Sequence, residues 1–125
     1  MKTFELHLND RPFNAIRVGR KTIEGRVADP ARKENKDFYE SMRKEDFIIF
    51  INILTAEKIR CKIKKVRHYN SFRKMLETED AKKVLSSNSS IEEGIRTYES
   101  FQGYKENVKT FGVYAIEIEF LNVLE

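Results

Sequence analysis

Lys21, Glu24 and Arg26 bring a cation, a carboxylate and a guanidinium into six residues, directly after Gly19-Arg20. Lys21 is a compact charge able to reach a phosphate. Glu24 and Arg26, two apart on an extended strand, lie roughly 6.5 to 7 Å apart and share a face, so their side chains can pair. Beside a polyanion, a carboxylate can orient the guanidinium or accept a hydrogen bond from a base amino group. The same trio also fits a structural ion pair that closes a barrel.

A second set of basic residues follows. Residues 57–74 hold eight basic residues and one acidic residue, whereas the whole chain is only +4. Lys58, Arg60, Lys62 and Lys64 alternate with Ile59, Cys61 and Ile63, which puts them on one face of a strand. With Lys65, Arg67, Arg73 and Lys74 nearby, that face could track a nucleic-acid backbone. Tyr69 and Phe72 are candidate stacking groups, although Phe72 also fits a helix core. The alternative is a solvated strand face whose lysines block edge pairing or pair with Glu117 and Glu119. His68 could serve as acid or base if RNA is cleaved, but no second histidine is placed to complete a pair. His7 falls on the polar side of its strand, and Ser71 fits a helix cap better than a nucleophile.

These residues need elements to hold them. Phe4, Leu6 and Leu8 alternate with polar neighbours, predicting a strand over residues 2–8. Asn9 or Asp10 caps a helix with Pro12 in its first turn and Gly19 past its end. A second strand spans residues 21–27. Residues 28–45 are polar and predict a short helix and an exposed loop. Strands follow over 46–54 and 57–68, the latter with a bulge at Lys64-Lys65 that returns Val66 to the core. Asn70 or Ser71 caps a helix running through Phe72, Met75 and Leu76 toward Leu85. Ser90 and Glu93 form a capping box before Ile91, Ile95 and Tyr98. Residues 104–109 are expected as a loop, and 112–121 as a last strand with Tyr114, Ile116, Ile118 and Phe120 inward. The expected class is α+β: a mixed or antiparallel β-barrel of about five to six strands with flanking helices.

The 125 residues predict one domain with one core. No apolar run reaches membrane-spanning length and no secretory leader is evident, so no membrane partner is expected. One cysteine and two histidines argue against a structural zinc, and no cofactor or metal is expected. Cys61 alternates with charged residues like a small core hydrophobe, consistent with a reducing, cytoplasmic setting.

Four blocks in order carry a family resemblance. Gly19, Lys21, Glu24 and Arg26 stand as G-x-K-x-x-E-x-R. They are preceded by L-N-D-R-P-F-N-A-I. Tyr69-Asn70-Ser71-Phe72 with Met75 and Leu76, and Phe111-Gly112-Val113-Tyr114-Ala115-Ile116, follow. The chain resembles the ASCH family of the PUA-like β-barrel superfamily. That resemblance implies an RNA-binding module, and with the adjacent basic strand read from its charges the candidate contacts to single-stranded or structured RNA are Arg20, Lys21, Glu24, Arg26, Lys58, Arg60, Lys62, Lys64, Lys65, Arg67, Tyr69 and Ser71. It also implies an alternative, an enzyme acting on RNA or a modified nucleoside with Lys21, Glu24 and Arg26 catalytic. In a bacterial branch of the family that hydrolyses N4-acetylcytidine, the nucleophile is a threonine where this chain has Glu24, and a carboxylate cannot replace an activated hydroxyl without changing the mechanism. The family's usual Gly-Asp turn before the third strand is Glu45-Asp46 here, which implies a differently shaped turn. A protein partner for the acidic last third is the remaining possibility.

Overall fold

In the computed structural model, which describes residues 1–125, five strands form one curled sheet flanked by six helices. The strands are β1 (Thr3–Leu8), β2 (Ile23–Arg26), β3 (Phe47–Asn52), β4 (Lys58–Tyr69) and β5 (Val113–Leu124). The helices are α1 (Asp10–Arg17), α2 (Lys36–Glu40), α3 (Phe72–Glu79), α4 (Ala81–Val84), α5 (Ile91–Ser100) and α6 (Tyr104–Phe111). The sheet order is β1-β3-β4-β5-β2. β1 pairs with β3 in parallel and every other pair is antiparallel, so the sheet is mixed. β1 and β2 are its two free edges, and the half-barrel closes by side chains rather than by a ladder.

The alternating pattern of β1 buries Phe4, Leu6 and Leu8 while Thr3, Glu5 and His7 face water. β4 carries the expected bulge: Ile63 pairs with Ile118 and Lys65 with Glu117, leaving Lys64 as the extra residue and letting Val66 pack on the core. The caps behave as their residue types dictate. Ser71 Oγ accepts the Lys74 N–H at 3.1 Å, and Ser90 and Glu93 form the reciprocal box at the start of α5.

Three expectations need correction. Residues 104–111 are helix α6, not a loop. Its N-cap is Gly103 in the left-handed conformation, so no side-chain cap marks the start, while Tyr104, Val108 and Phe111 hold the helical spacing. The helix after Ser71 is broken at Asp80, whose positive φ of 75° ends α3 and whose carboxylate caps α4. In the Glu45-Asp46 turn, Glu45 has a positive φ of 78° and its carboxylate lies 2.7 Å from Lys62. Finally, there are two cores. One fills the half-barrel and contains Leu6, Phe13, Phe50, Cys61, Tyr114 and Ile116. The other lies on the opposite face of β2 and β5, where Ile23, Val27, Val113 and Ala115 meet Phe72, Met75, Leu76 and Tyr98. β5 is therefore sandwiched at its start, and its outward partners are helices rather than water. Cys61 lies in the inner core, where burial pushes its thiol up to about 12 and makes it unreactive at neutral pH.

Candidate nucleic-acid interface at the sheet seam

The motif residues sit where the two sheet edges face each other. The α1–β2 turn, opened by Gly19 at φ 83°, feeds Lys21 beneath helix α4. Lys21 is only 3% exposed, and its ammonium donates to the Ile23 carbonyl at 2.7 Å and to the Val84 carbonyl. It also lies 3.1 Å from Glu24 Oε1. Three donors meet three acceptors, so Lys21 has none left to reach a phosphate in this arrangement. Arg26 donates through Nε to Glu24 Oε2 at 2.7 Å and through Nη2 to the His7 carbonyl at 2.7 Å. That second bond spans the gap from β2 to β1. The trio is thus a buried ion network that ties the two edges together.

Its electrostatics follow from burial and neighbours. Burial pulls the Lys21 ammonium below its ordinary value, with Glu24 only partly restoring it. Burial pushes the Glu24 carboxyl up, but Lys21 and Arg26 outweigh it and hold the group below the usual carboxylate range. Burial likewise works against the Arg26 charge, and Glu24 more than offsets it. Around the bulge a second network forms. Arg67 donates to both Glu79 oxygens, at 2.7 Å from Nη2 to Oε1, and to Glu117 at 2.9 Å. The Tyr69 hydroxyl also donates to Glu79. Burial raises the Glu79 carboxyl, but these donors outweigh it and lower it.

The sign of the pH dependence is then fixed. A carboxyl whose folded value lies below its unfolded value contributes stability above the ordinary value of about 4.3 and loses it as pH falls through the folded value. The urea midpoint is therefore expected to fall from about pH 4.5 downward, and to fall less in Glu79→Gln. A midpoint that holds steady or rises toward pH 3 would contradict this assignment.

A cleft of about 560 Å³ opens at the seam. Its floor is Lys21, Glu24, Gly25 and Arg26. Its far wall is Tyr98, Phe101 and Tyr104 from the end of α5 and the start of α6. Gly25 permits this closeness, since a Cβ there would stand 2.6 Å from the Tyr98 hydroxyl. Tyr98 and Tyr104 lie parallel, and Phe101 stands edge-on to both with its own surface 39% exposed. The charged lining residues are Lys21, Arg26 and Arg32 against Glu24, Asp29 and Glu34, so the formal charges cancel.

The basic strand is elsewhere. None of Lys58, Arg60, Lys62, Lys64, Lys65, Arg67, Tyr69 or Ser71 lines the cleft. Much of the stripe is also occupied. Lys62 pairs with Glu45, Arg60 stacks 4.0 Å above the Phe47 ring, and Arg67 is held by two glutamates. Tyr69 packs on the outer core and Phe72 is buried there, stacked on Tyr98. Lys58, Lys64 and Lys65 remain exposed without an ion pair. His68 Nε2 lies 2.6 Å from the Phe111 carbonyl, and His7 is on the solvent side of β1. The aromatic wall escaped the sequence reading, although Tyr98, Phe101 and Tyr104 recur every three residues. No group of three or more His, Cys, Asp or Glu is arranged to hold a metal ion, and no helix is long and apolar enough to cross a membrane.

The five curled strands and their flanking helices make an α+β half-barrel, with the charged motif at the helix-to-strand turn. The ASCH domain family matches residues 6–122, and the chain belongs to that family. It is similar to hypothetical protein PH0355, at 36% identity and TM-score 0.77, covering 95% of this chain and 99% of that one. It is also similar to protein PF0455 from Pyrococcus furiosus, at 38% identity and TM-score 0.70, covering 96% and 98%. The Y47F variant of ZmASCH from Zymomonas mobilis shares the fold at 13% identity and TM-score 0.66, over 100% of this chain and 76% of that one. No curated protein matches the chain.

Proposed function

We propose that this domain binds single-stranded RNA by seating one base in the seam cleft. The observation that carries the reading is the meeting, in one 560 Å³ cleft, of an aromatic wall with a fixed carboxylate–guanidinium couple. Sequence-specific RNA recognition uses that combination: an unstacked base lies on aromatic rings while polar groups read its edge. Cancelling charges inside the cleft favour a neutral base over a phosphate, which leaves the sugar-phosphate backbone outside. Lys21 and Arg26 serve here as scaffolding for Glu24 and for the seam, not as phosphate ligands.

Turnover through Lys21 and Glu24 has less support. Both Glu24 oxygens are engaged and the carboxyl is held below its usual range, which makes it a weak base near neutral pH. The test is fluorescence anisotropy with a labelled single-stranded oligoribonucleotide, with product analysis on the same samples. Micromolar or tighter, salt-sensitive binding is expected without product. Phe101→Ala, at an exposed position, should weaken it about tenfold, in line with a stacking contribution of about 1–3 kcal/mol. Absence of binding, or binding indifferent to Phe101 and to salt, would overturn the reading. Product lost in Glu24→Gln would make the protein an enzyme.

A further inference from the structure

One set of free cations next to the cleft in sequence belongs to the α1–β2 turn and α4 and not to β4. Arg20 directly precedes Lys21 in the α1–β2 turn, and Lys82 and Lys83 directly precede Val84 in α4. Two hydrogen bonds clamp these segments together. The Thr22 N–H donates to the Lys83 carbonyl at 3.0 Å, and the Lys21 ammonium donates to the Val84 carbonyl. All three side chains are exposed and none is in an ion pair. Two carboxylates lie close and Glu79 feels the Lys83 charge, but neither forms an ion pair with the three cations. Asp80 caps α4 by accepting the Lys82 N–H at 3.1 Å, and Glu79 is taken by Arg67 and Tyr69. Nor does helix capping account for the lysines, since α4 has four residues and almost no macrodipole to complement. Three like charges drawn together without an ion-pair partner repel one another, and a polyanion relieves that repulsion.

The position of the cluster matters as much as its charge. Lys21 on one side, and Leu85 and Ser86 on the other, line the cleft. Arg20 and Lys83 are therefore one and two residues from the cleft wall. Resting on the RNA-binding reading above, we propose that Arg20, Lys82 and Lys83 form a phosphate ledge beside the cleft, which holds the RNA backbone while the base enters the seam. The backbone then runs over the α1–β2 turn and α4, and the basic face of β4 lies off its path.

The test compares two charge-matched variants, Arg20→Ala/Lys82→Ala/Lys83→Ala and Lys58→Ala/Lys64→Ala/Lys65→Ala. Each is titrated with the same labelled single-stranded oligoribonucleotide at about 50 to 200 mM salt. Each single-strand phosphate contact contributes a slope of roughly 0.7 in log affinity against log salt. Loss of the ledge should flatten the slope by about 2 and weaken low-salt binding at least about tenfold, while the β4 variant keeps the slope within about 0.5 of the parent. Thermal melting checks that both fold, and Lys83→Glu alone should flatten the slope by at least about 0.7 should the ledge triple melt early. Equal slopes for the two triples, or a larger loss in the β4 triple, would overturn the ledge and leave the cleft reading standing. A wild-type protein that binds no RNA would overturn both.

Discussion

Glu24→Ala is expected to lower the stability of the fold by about 3–5 kcal/mol, the usual cost of removing one partner from a buried ion pair. Two cations depend on this carboxylate. Lys21, 3% exposed, would keep its charge among backbone carbonyls with no anion nearby, and Arg26 would keep only its bond to the His7 carbonyl. For a domain of this size the thermal midpoint should fall on the order of 15 °C. Melting of Glu24→Ala beside Lys21→Met/Glu24→Ala makes the argument specific. Removing the stranded ammonium should return part of the loss, because the penalty lies in an uncompensated charge and not in lost volume. A single variant that melts within a degree or two of the parent would mean that water screens the network, and that the seam is not held by it.

The second large effect is expected at Gly112, which joins α6 to β5. Its φ of 70° with ψ of −160° is a conformation essentially restricted to glycine. An added Cβ would collide with the Tyr69 carbonyl oxygen and stand 2.5 Å from His68 Nε2. The first obstacle is backbone belonging to the paired strand, so no side-chain rotation relieves it. Gly112→Ala should therefore cost at least about 3 kcal/mol, adding the clash to a backbone strain of about 1–3 kcal/mol. Gly19→Ala is the internal comparison. Gly19 has φ of 83° but nothing within 4 Å of a built Cβ, so only the conformational term of about 1–2 kcal/mol applies. Urea denaturation of the two variants separates the terms. Equal losses would show that β4 and β5 yield at the Tyr69–Val113 pair.

The local devices were legible because each is written in adjacent residues. The Ser90–Glu93 box, the Ser71 cap and the bulge that restores Val66 are all set by side-chain type and parity. The Glu24–Arg26 couple was legible for the same reason, as two residues on one strand face. Helix α6 was missed because glycine starts it and leaves no capping side chain to announce it. The fate of Lys21 was out of reach. Its partners are the carbonyls of Ile23 and Val84, and a backbone carbonyl sixty residues away has no signature in the sequence. The partners of the basic stripe were legible only in part: strand parity offered Glu117, but not that Glu45 and Glu79 come to meet it from a turn and a helix.

The pairing of the edge strand has a consequence for how the molecule assembles. β2 has a single strand partner, β5, with Ile23 set against Glu117. During synthesis on the ribosome, β2 must wait while most of the chain is made before its neighbour exists. Contacts between such distant residues close slowly, because a long loop must be ordered before they form. β3 and β4, by contrast, are joined by a short turn and can pair as soon as they emerge. The seam carrying Lys21, Glu24 and Arg26 is therefore a late product of folding. A nascent chain with a finished hairpin and an open seam has three charged side chains still in water, and their burial accompanies completion of the sheet.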